Sequence, residues 1–350
     1  MQLCFLCKER FKFPFPEGCC DVCKDDSIIF LYNLRTGKID KPFDARTFYI
    51  KGESMQKYLK NEEKFFSYSI GKSIKSWANK LAIKYIKEKT SLKPKVRNPD
   101  VIYHVSFPEG IKSFEYGDIY IYGKYKKLKE GISQKRWKKY EKSIEAIIGE
   151  KALNYFEAKQ YWLHCSGRED VDVLNFAGRP FVLELKQAKK RYLNLEELEK
   201  QINMANEINV SLYGYVDDRF VEIVSNSHFN KSYMAYLSEE LNENEIEKLN
   251  KIKNLIIKQK TPLRVLHRRA DKIRKRKIFY IKAAKDHLMI KAEAGTYIKE
   301  FISGDKNRTK PSVSSILNKE LFCKKLIVSE IDSDFLDFVF KCYQEQNKQK

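Results

Sequence analysis

The sequence predicts an α+β protein in which a small cysteine-bearing unit precedes two mixed units, and three observations carry that prediction. Two Cys-x-x-Cys pairs, Cys4/Cys7 and Cys20/Cys23, stand twelve residues apart near the start of the chain. Behind them, a segment of helical period lies beside strand-like runs. From about residue 129 onward, alternating runs and amphipathic stretches interleave with no internal repeat. A length of 350 residues suggests two or three domains, with expected boundaries 1–39, 40–128 and 129–350.

Residues 1–39 read as a zinc ribbon or knuckle. Each short knuckle donates two thiolates, so Cys4, Cys7, Cys20 and Cys23 are the expected ligands of a closed tetrahedral site. Four protein thiolates leave no position for water, which makes the expected zinc structural rather than catalytic. The alternatives are four free thiols in a small core, or Cys19 standing in for Cys20.

In 40–128, the period predicts a helix from Ile70 to Lys89. Ile70, Ile74, Trp77, Leu81 and Ile86 lie near one face, and Lys72, Lys75, Lys80 and Lys84 mostly elsewhere. Ser91–Pro99, with two prolines, reads as a loop. Asp100–Phe107 and Asp118–Tyr125 read as strands. A basic helix face suits RNA binding, and it equally suits a solvated lysine surface.

In 129–350, helices are expected at Lys138–Phe156, Asn194–Asn206 and Glu243–Lys258. Strands are expected at Phe181–Gln187, Val210–Val216, Phe220–Val224 and Ser232–Leu237. Lys277–Ala284 and Met289–Ala294 resemble a hairpin, and Gly295 opens a short helix through Ile302.

Charge narrows the partners. Sixty-eight Lys and Arg against 47 Asp and Glu leave a net +21, and the chain also holds 21 Tyr and 22 Phe. Cations attract phosphates and rings stack on splayed bases, so the combination points to nucleic acid. A lysine-rich background would raise the charge without any ligand. Arg268–Lys277 is the densest basic run, with seven basic residues and one acidic. It would repel itself unless it faced an anion.

No run approaches the roughly 18 apolar residues a membrane span needs. The opening MQLCFLC lacks the ordered regions of a signal peptide. A cytoplasmic protein with reduced thiols and no membrane partner is expected.

Missing motifs exclude several chemistries. No glycines fall at G-x-G spacing, no G-x-x-x-x-G-K-[ST] occurs, and none of the five His begins H-x-E or H-E-x-x-H. These absences argue against dinucleotide enzymes, P-loop NTPases, zinc deaminases and zincins. What remains is the acidic string Ser166-Gly167-Arg168-Glu169-Asp170-Val171-Asp172-Val173. Such a string in a basic protein either ties down structure through ion pairs or does chemistry on a bound nucleotide.

A family resemblance favours the second. Gly167-Arg168-Glu169-Asp170-Val171-Asp172-Val173, with Gly178-Arg179-Pro180-Phe181 just after it, resembles the catalytic motif of the Pus-ten type tRNA pseudouridine synthases. So do Ile121-Tyr122-Gly123-Lys124-Tyr125-Lys126-Lys127-Leu128, Gly131-Ile132-Ser133-Gln134 with Trp137, and Lys231-x-Tyr233-x-Ala235. The stretch from Thr261-Pro262 through Arg264-Val265-Leu266-His267-Arg268-Arg269-Ala270-Asp271 and the block Ala294-Gly295-Thr296-Tyr297-Ile298-Lys299-Glu300-Phe301 complete the set. The likeness covers most of 120–317 and the knuckles. Leu174 departs from it, standing where the family pattern has Arg, and 40–115 matches only loosely.

The resemblance implies a catalytic domain with a mixed, largely antiparallel sheet flanked by helices, behind a zinc-binding, THUMP-like α/β module. It implies a monomeric, archaeal-like isomerase acting on the TΨC arm of tRNA, at position 54, 55 or both, with no cofactor for catalysis. Asp170 is the implied catalytic carboxylate, Lys299 its cationic partner, and Tyr233 the ring that stacks on the base. Lys299 is alternatively a surface lysine, and Tyr233 a core tyrosine. Arg168, alternatively in an ion pair with Glu169 or Asp172, helps hold the flipped nucleotide. His267, Arg268 and Arg269 are the expected phosphate contacts. The competing expectation is a zinc-ribbon tRNA-binding protein with a non-catalytic synthase fold.

Overall fold

The computed structural model describes residues 1–348 apart from 12, 43, 54 and 68–71. It divides into two compact units, one of residues 1–119, 153–160 and 185–193, the other of 120–152, 161–184 and 194–350. Among the described residues, no helix is long and apolar enough to cross a membrane.

The first unit carries α1 (Phe5–Lys8), α2 (Asp26–Thr36), β1 (Thr47–Glu53), α3 (Gln56–Phe66), α4 (Ile74–Thr90), β2 (Lys93–Pro94), β3 (Val101–Ser106) and β4 (Gly110–Tyr116). Its four-stranded sheet runs β2-β1-β3-β4, parallel from β2 to β3 and antiparallel at β3–β4. Parallel β1 and β3 require a crossover, which α3 and α4 supply. Of the helix expected over 70–89, Ile70 lies outside the described residues. Ser73 caps α4, its side chain accepting from the Ser76 amide at 3.2 Å. The buried face is Ile74, Ala78, Ala82 and Ile86, with Trp77 and Leu81 half-buried beside it. The expected face is thus rotated, because small alanines let the helix lie close on the sheet. Phe11, Phe15, Phe30, Phe48 and Tyr103 share one core with both cysteine pairs.

The second unit is built on β5 (Ile119–Lys127), α5 (Ile144–Phe156), β6 (Gln160–Cys165), β7 (Val173–Lys186), α6 (Leu195–Asn203), β8 (Ile208–Val216), α7 (Asp218–Asn226) and β9 (Lys231–Leu237). It continues through α8 (Glu243–Asn250), β10 (Lys253–Lys260), a 3-10 turn (Leu263–Arg268), β11 (Ile273–Ala283), β12 (His287–Ala292), α9 (Ile298–Ser303), β13 (Thr309–Lys310), α10 (Val313–Leu317), β14 (Cys323–Ile331) and α11 (Asp334–Lys348). The ten-stranded sheet runs β13-β10-β11-β12-β9-β14-β7-β5-β8, with β6 on β7. It is mixed: β9 pairs antiparallel with β12 and β14, whereas β14 and β7 are parallel.

Three expected elements differ. The helix expected from Lys138 begins at Ile144, because the Ser143 hydroxyl takes the Ala146 amide at 3.1 Å and caps it there. Phe220–Val224 is not a strand but part of α7. Asp217 accepts from the Arg219 amide at 3.1 Å, and Phe220 and Val224 bury one turn apart. The helix expected to Lys258 stops at Asn250. Beyond it, Ile257 and Gln259 are buried with exposed neighbours, a period of two, and β10 pairs antiparallel with β11.

Candidate functional site

A cleft of about 750 Å³ opens in the second unit where the loop 166–172, β9, the turn Leu263–Arg268, β11 and the start of α9 converge. Nine Arg and Lys side chains line it against two carboxylates, Glu169 and Asp170. Such a wall attracts a polyanion.

The loop is held rigidly from behind. Glu169 turns inward to an ion pair with Arg179, each side chain 2% exposed, and accepts from the Tyr125 hydroxyl at 2.6 Å. Gln134 Nε2 donates to that hydroxyl at 2.9 Å and to the Gly167 carbonyl at 3.0 Å. Arg179 Nη1 donates to the Ser166 carbonyl at 2.7 Å. Gly167 sits at φ +77°, where a Cβ would be strained and would meet Arg179 Nη1 at 3.2 Å. Lys127 Nζ donates to the carbonyls of Asp170 and Val171 at 3.1 and 2.6 Å. Burial pushes the Lys127 ammonium down to about 8 despite Glu169. The consequence is an alternation along the loop: Glu169 inside, with Arg168 exposed and Asp170 half-buried on the cleft.

Asp170 Oδ2 lies 2.8 Å from Arg264 Nη2, and Arg264 Nε lies 2.6 Å from Glu300 Oε1. Burial opposes the Arg264 charge, but Glu300 and then Asp170 more than restore it, so its pKa rises. One planar fork thereby fixes Asp170 against a nearly buried acid. The expected partner, Lys299, is elsewhere: its Nζ is 2.5 Å from Asp172 Oδ2. Burial raises the Asp172 carboxyl, and the Lys299 ammonium outweighs it, leaving the pKa below the ordinary range. Lys299 does line the cleft with Asp170, but the contact is with the carboxylate two positions on.

Tyr233 is buried on β9, opposite Ile290 and Val328, with its side chain on the cleft. Burial pushes its hydroxyl up to about 12, against the pull of Arg179. Lys231, two residues earlier on the same face, also lines the cleft, and burial together with Arg179 brings it down to about 8. Among the described residues, Arg168 pairs with neither neighbouring acid: Glu169 pairs with Arg179 and Asp172 with Lys299. Arg268 and Arg269 are on the cleft wall, and Arg269 Nη1 donates to the Tyr297 hydroxyl at 2.7 Å. His267 is exposed on the same turn but does not line the cleft.

Sequence inspection assigned no role to Arg179, Lys231, Arg264, Arg274 or Arg276, all of which line the cleft. Arg179, Lys231 and Arg264 stand inside the quoted motifs. Arg274 and Arg276 alternate in the basic run, so a strand there sends both to one face.

In the first unit, Cys4, Cys7, Cys20 and Cys23 form a buried cluster whose sulfurs lie within 4.8 Å of one another, and Cys19 is exposed. Cys4 and Cys23 sulfurs are 3.6 Å apart, close to the roughly 3.8 Å edge of a tetrahedron with 2.3 Å metal–sulfur bonds. Arg10, buried in an ion pair with Glu62, donates from Nη2 to Cys7 Sγ at 3.4 Å. A buried cation aimed at a sulfur suits thiolates better than neutral thiols. The donor set fits a metal ion.

The family model described as Pus10, C-terminal, matches residues 120–332, more than half of the chain. The chain belongs to the Pus10 family. The tRNA pseudouridine synthase Pus10 of Picrophilus torridus is 37% identical over 273 residues, 76% of this chain and 72% of that one. Its namesake from Pyrococcus furiosus is 34% identical over 310 residues, 85% of this chain and 79% of that one. A solved pseudouridylate synthase covers 71% of this chain and 87% of its own at 14% identity, with a TM-score of 0.30, too loose to bear weight. Every residue lining the cleft falls within the matched Pus10 region.

Proposed function

We propose that this chain is a tRNA pseudouridine synthase that isomerises uridine in the TΨC arm, at position 54, 55 or both, with Asp170 as the catalytic carboxylate. One observation carries this: four separated motifs of a Pus10 chain meet in one cationic cleft around a half-exposed Asp170. The reaction breaks the glycosidic C1′–N1 bond, turns the base and joins C1′ to C5; C5 loses a proton and N1 gains one, so the product is an isomer of the substrate. No electrons are exchanged. The Asp170 carboxylate serves either by adding to the ribose or by taking a ribose proton.

Arg264 keeps Asp170 oriented through its guanidinium fork. Tyr233 stacks on the base and assists the loss of the C5 proton. Arg168, Arg268 and Arg269 hold the flipped nucleotide and its phosphates. Lys299 acts on the same wall through Asp172. His267 contacts RNA outside the cleft. The first unit docks the RNA, with a structural zinc on the four cysteines.

Incubating unmodified tRNA transcript with the purified protein, without cofactor, and mapping pseudouridine by carbodiimide and primer extension tests the proposal. A stop in the TΨC loop is expected, and tight binding without a stop overturns it in favour of a binding protein. Binding should also weaken steeply with salt. Six phosphate contacts would cost roughly a thousandfold in affinity between 50 and 200 mM salt, and a flat titration would mean that the cleft charge is not aimed at RNA. Metal analysis should find one zinc per chain, lost with unfolding of the first unit under strong chelation. Metal-free protein with an intact first unit would leave the cysteines as a thiol core.

A further inference from the structure

Residues 128–143, between β5 and α5, form a loop that the mechanism leaves unused. It is braced at both ends. The Ser133 amide donates to the Lys142 carbonyl at 3.3 Å, and the Ile144 amide to the Ser133 carbonyl at 2.9 Å. Lys135 Nζ lies 2.7 Å from Glu145 Oε1, and the Arg136 amide donates to the other oxygen at 3.2 Å. Gln134, in the same loop, holds the Gly167 carbonyl of the catalytic loop.

This rigid frame presents a tryptophan to solvent. Trp137 is 43% exposed and makes an edge-type contact with Tyr140, ring centroids 5.6 Å apart at 62°. Among the described residues, Trp137 is not one of those that form the main core of the second unit or pack against it. Exposed Lys138 and Lys139 follow it, and the Arg268 guanidinium stands 5.9 Å from its centroid. Arg268 in turn lines the cleft that holds Asp170. An exposed ring faced by a guanidinium and followed by two exposed lysines suits a nucleobase with its phosphates better than an apolar protein surface. A planar base stacked on both groups needs about 7 Å, twice a contact of roughly 3.5 Å. The gap between Trp137 and Arg268 is about one ångström short of that.

We propose that Trp137, with Arg268 facing it, is a stacking platform at the cleft rim for a base flanking the target uridine. Trp137 is then a positioning residue, which keeps the strand in register while the uridine turns in the cleft. The proposal rests on RNA being the substrate.

A base stacked on indole quenches its fluorescence, so titration with unmodified tRNA transcript reads the contact directly. Wild-type protein should be quenched. Trp137→Leu should lose most of the quench and raise KM for tRNA about tenfold with kcat within about threefold. Trp137→Phe should restore most of the affinity, because a flat ring suffices. Trp162→Phe, which removes another exposed indole, should keep the quench. If Trp137→Leu is quenched as wild type, or shares its KM while wild type turns over, the platform is overturned and the isomerase stands. If wild type is quenched through Trp137 but makes no pseudouridine, the isomerase fails and the platform stands.

Discussion

Asp170→Asn is expected to bind tRNA as tightly as the parent chain and no longer to isomerise it. Asparagine keeps the shape of the side chain and an oxygen to accept from Arg264, so the loop is not disturbed. It removes the charge. On either chemical route the carboxylate is indispensable, as nucleophile or as proton acceptor, and an amide at this place does neither. Turnover should fall at least about a thousandfold. Affinity should stay within a few-fold, because the cleft loses one negative charge among nine positive ones. Asp172→Asn is the control that isolates position from charge. Its pair with Lys299 is largely exposed on the carboxylate side, and such pairs contribute little. That variant should retain turnover within about tenfold of the parent. Comparable losses in both variants, or turnover near the parent's in Asp170→Asn, would overturn the assignment of Asp170.

Much of the site is legible in the sequence because its pieces are local strings: the loop 166–172, Lys231 to Tyr233, the turn around Arg264, the start of α9. Their pairings are not. Asp170 finds Arg264 and Asp172 finds Lys299 across long stretches of chain, and nothing local distinguishes one cation from another. The same limit separates His267 from Arg268 and Arg269, neighbours on a tight turn that point different ways. Elements fail where two periods fit. Phe220, Val221, Ile223 and Val224 satisfy both strand and helix, and the deciding signal is the cap at Asp217. After α8 the apolar spacing changes from helical to alternating near Asn250, and a helix read across that point swallows β10. The rotated face of α4 has another cause: alanine counts weakly in a hydrophobic pattern, yet Ala78 and Ala82 are both buried.

Loss of Arg179 should carry a large cost in stability. The guanidinium and the Glu169 carboxylate are each removed from water, and each is the other's ionic partner. Burial opposes the Arg179 charge, while Glu169 first and other groups after it raise its pKa. Arg179→Met leaves the Glu169 carboxyl in a dry site without its ionic partner, though still hydrogen-bonded by Tyr125, which should cost about 3–5 kcal/mol. For a unit of this size each kcal/mol moves Tm by roughly 2–4 °C, so the unfolding transition should drop by about 10 °C. Activity should fall as well, because Arg179 also holds the Ser166 carbonyl at the root of the catalytic loop. Adding Glu169→Gln removes the stranded charge while keeping a group for Tyr125 to meet. Stability should then recover by more than half, since replacing both members of a buried pair costs less than removing one. Turnover should not recover with it, because the loop still lacks its anchor. If the double variant is no more stable than Arg179→Met, the pair is not what holds the loop. If turnover returns together with stability, the anchor at Ser166 has no part in positioning Asp170.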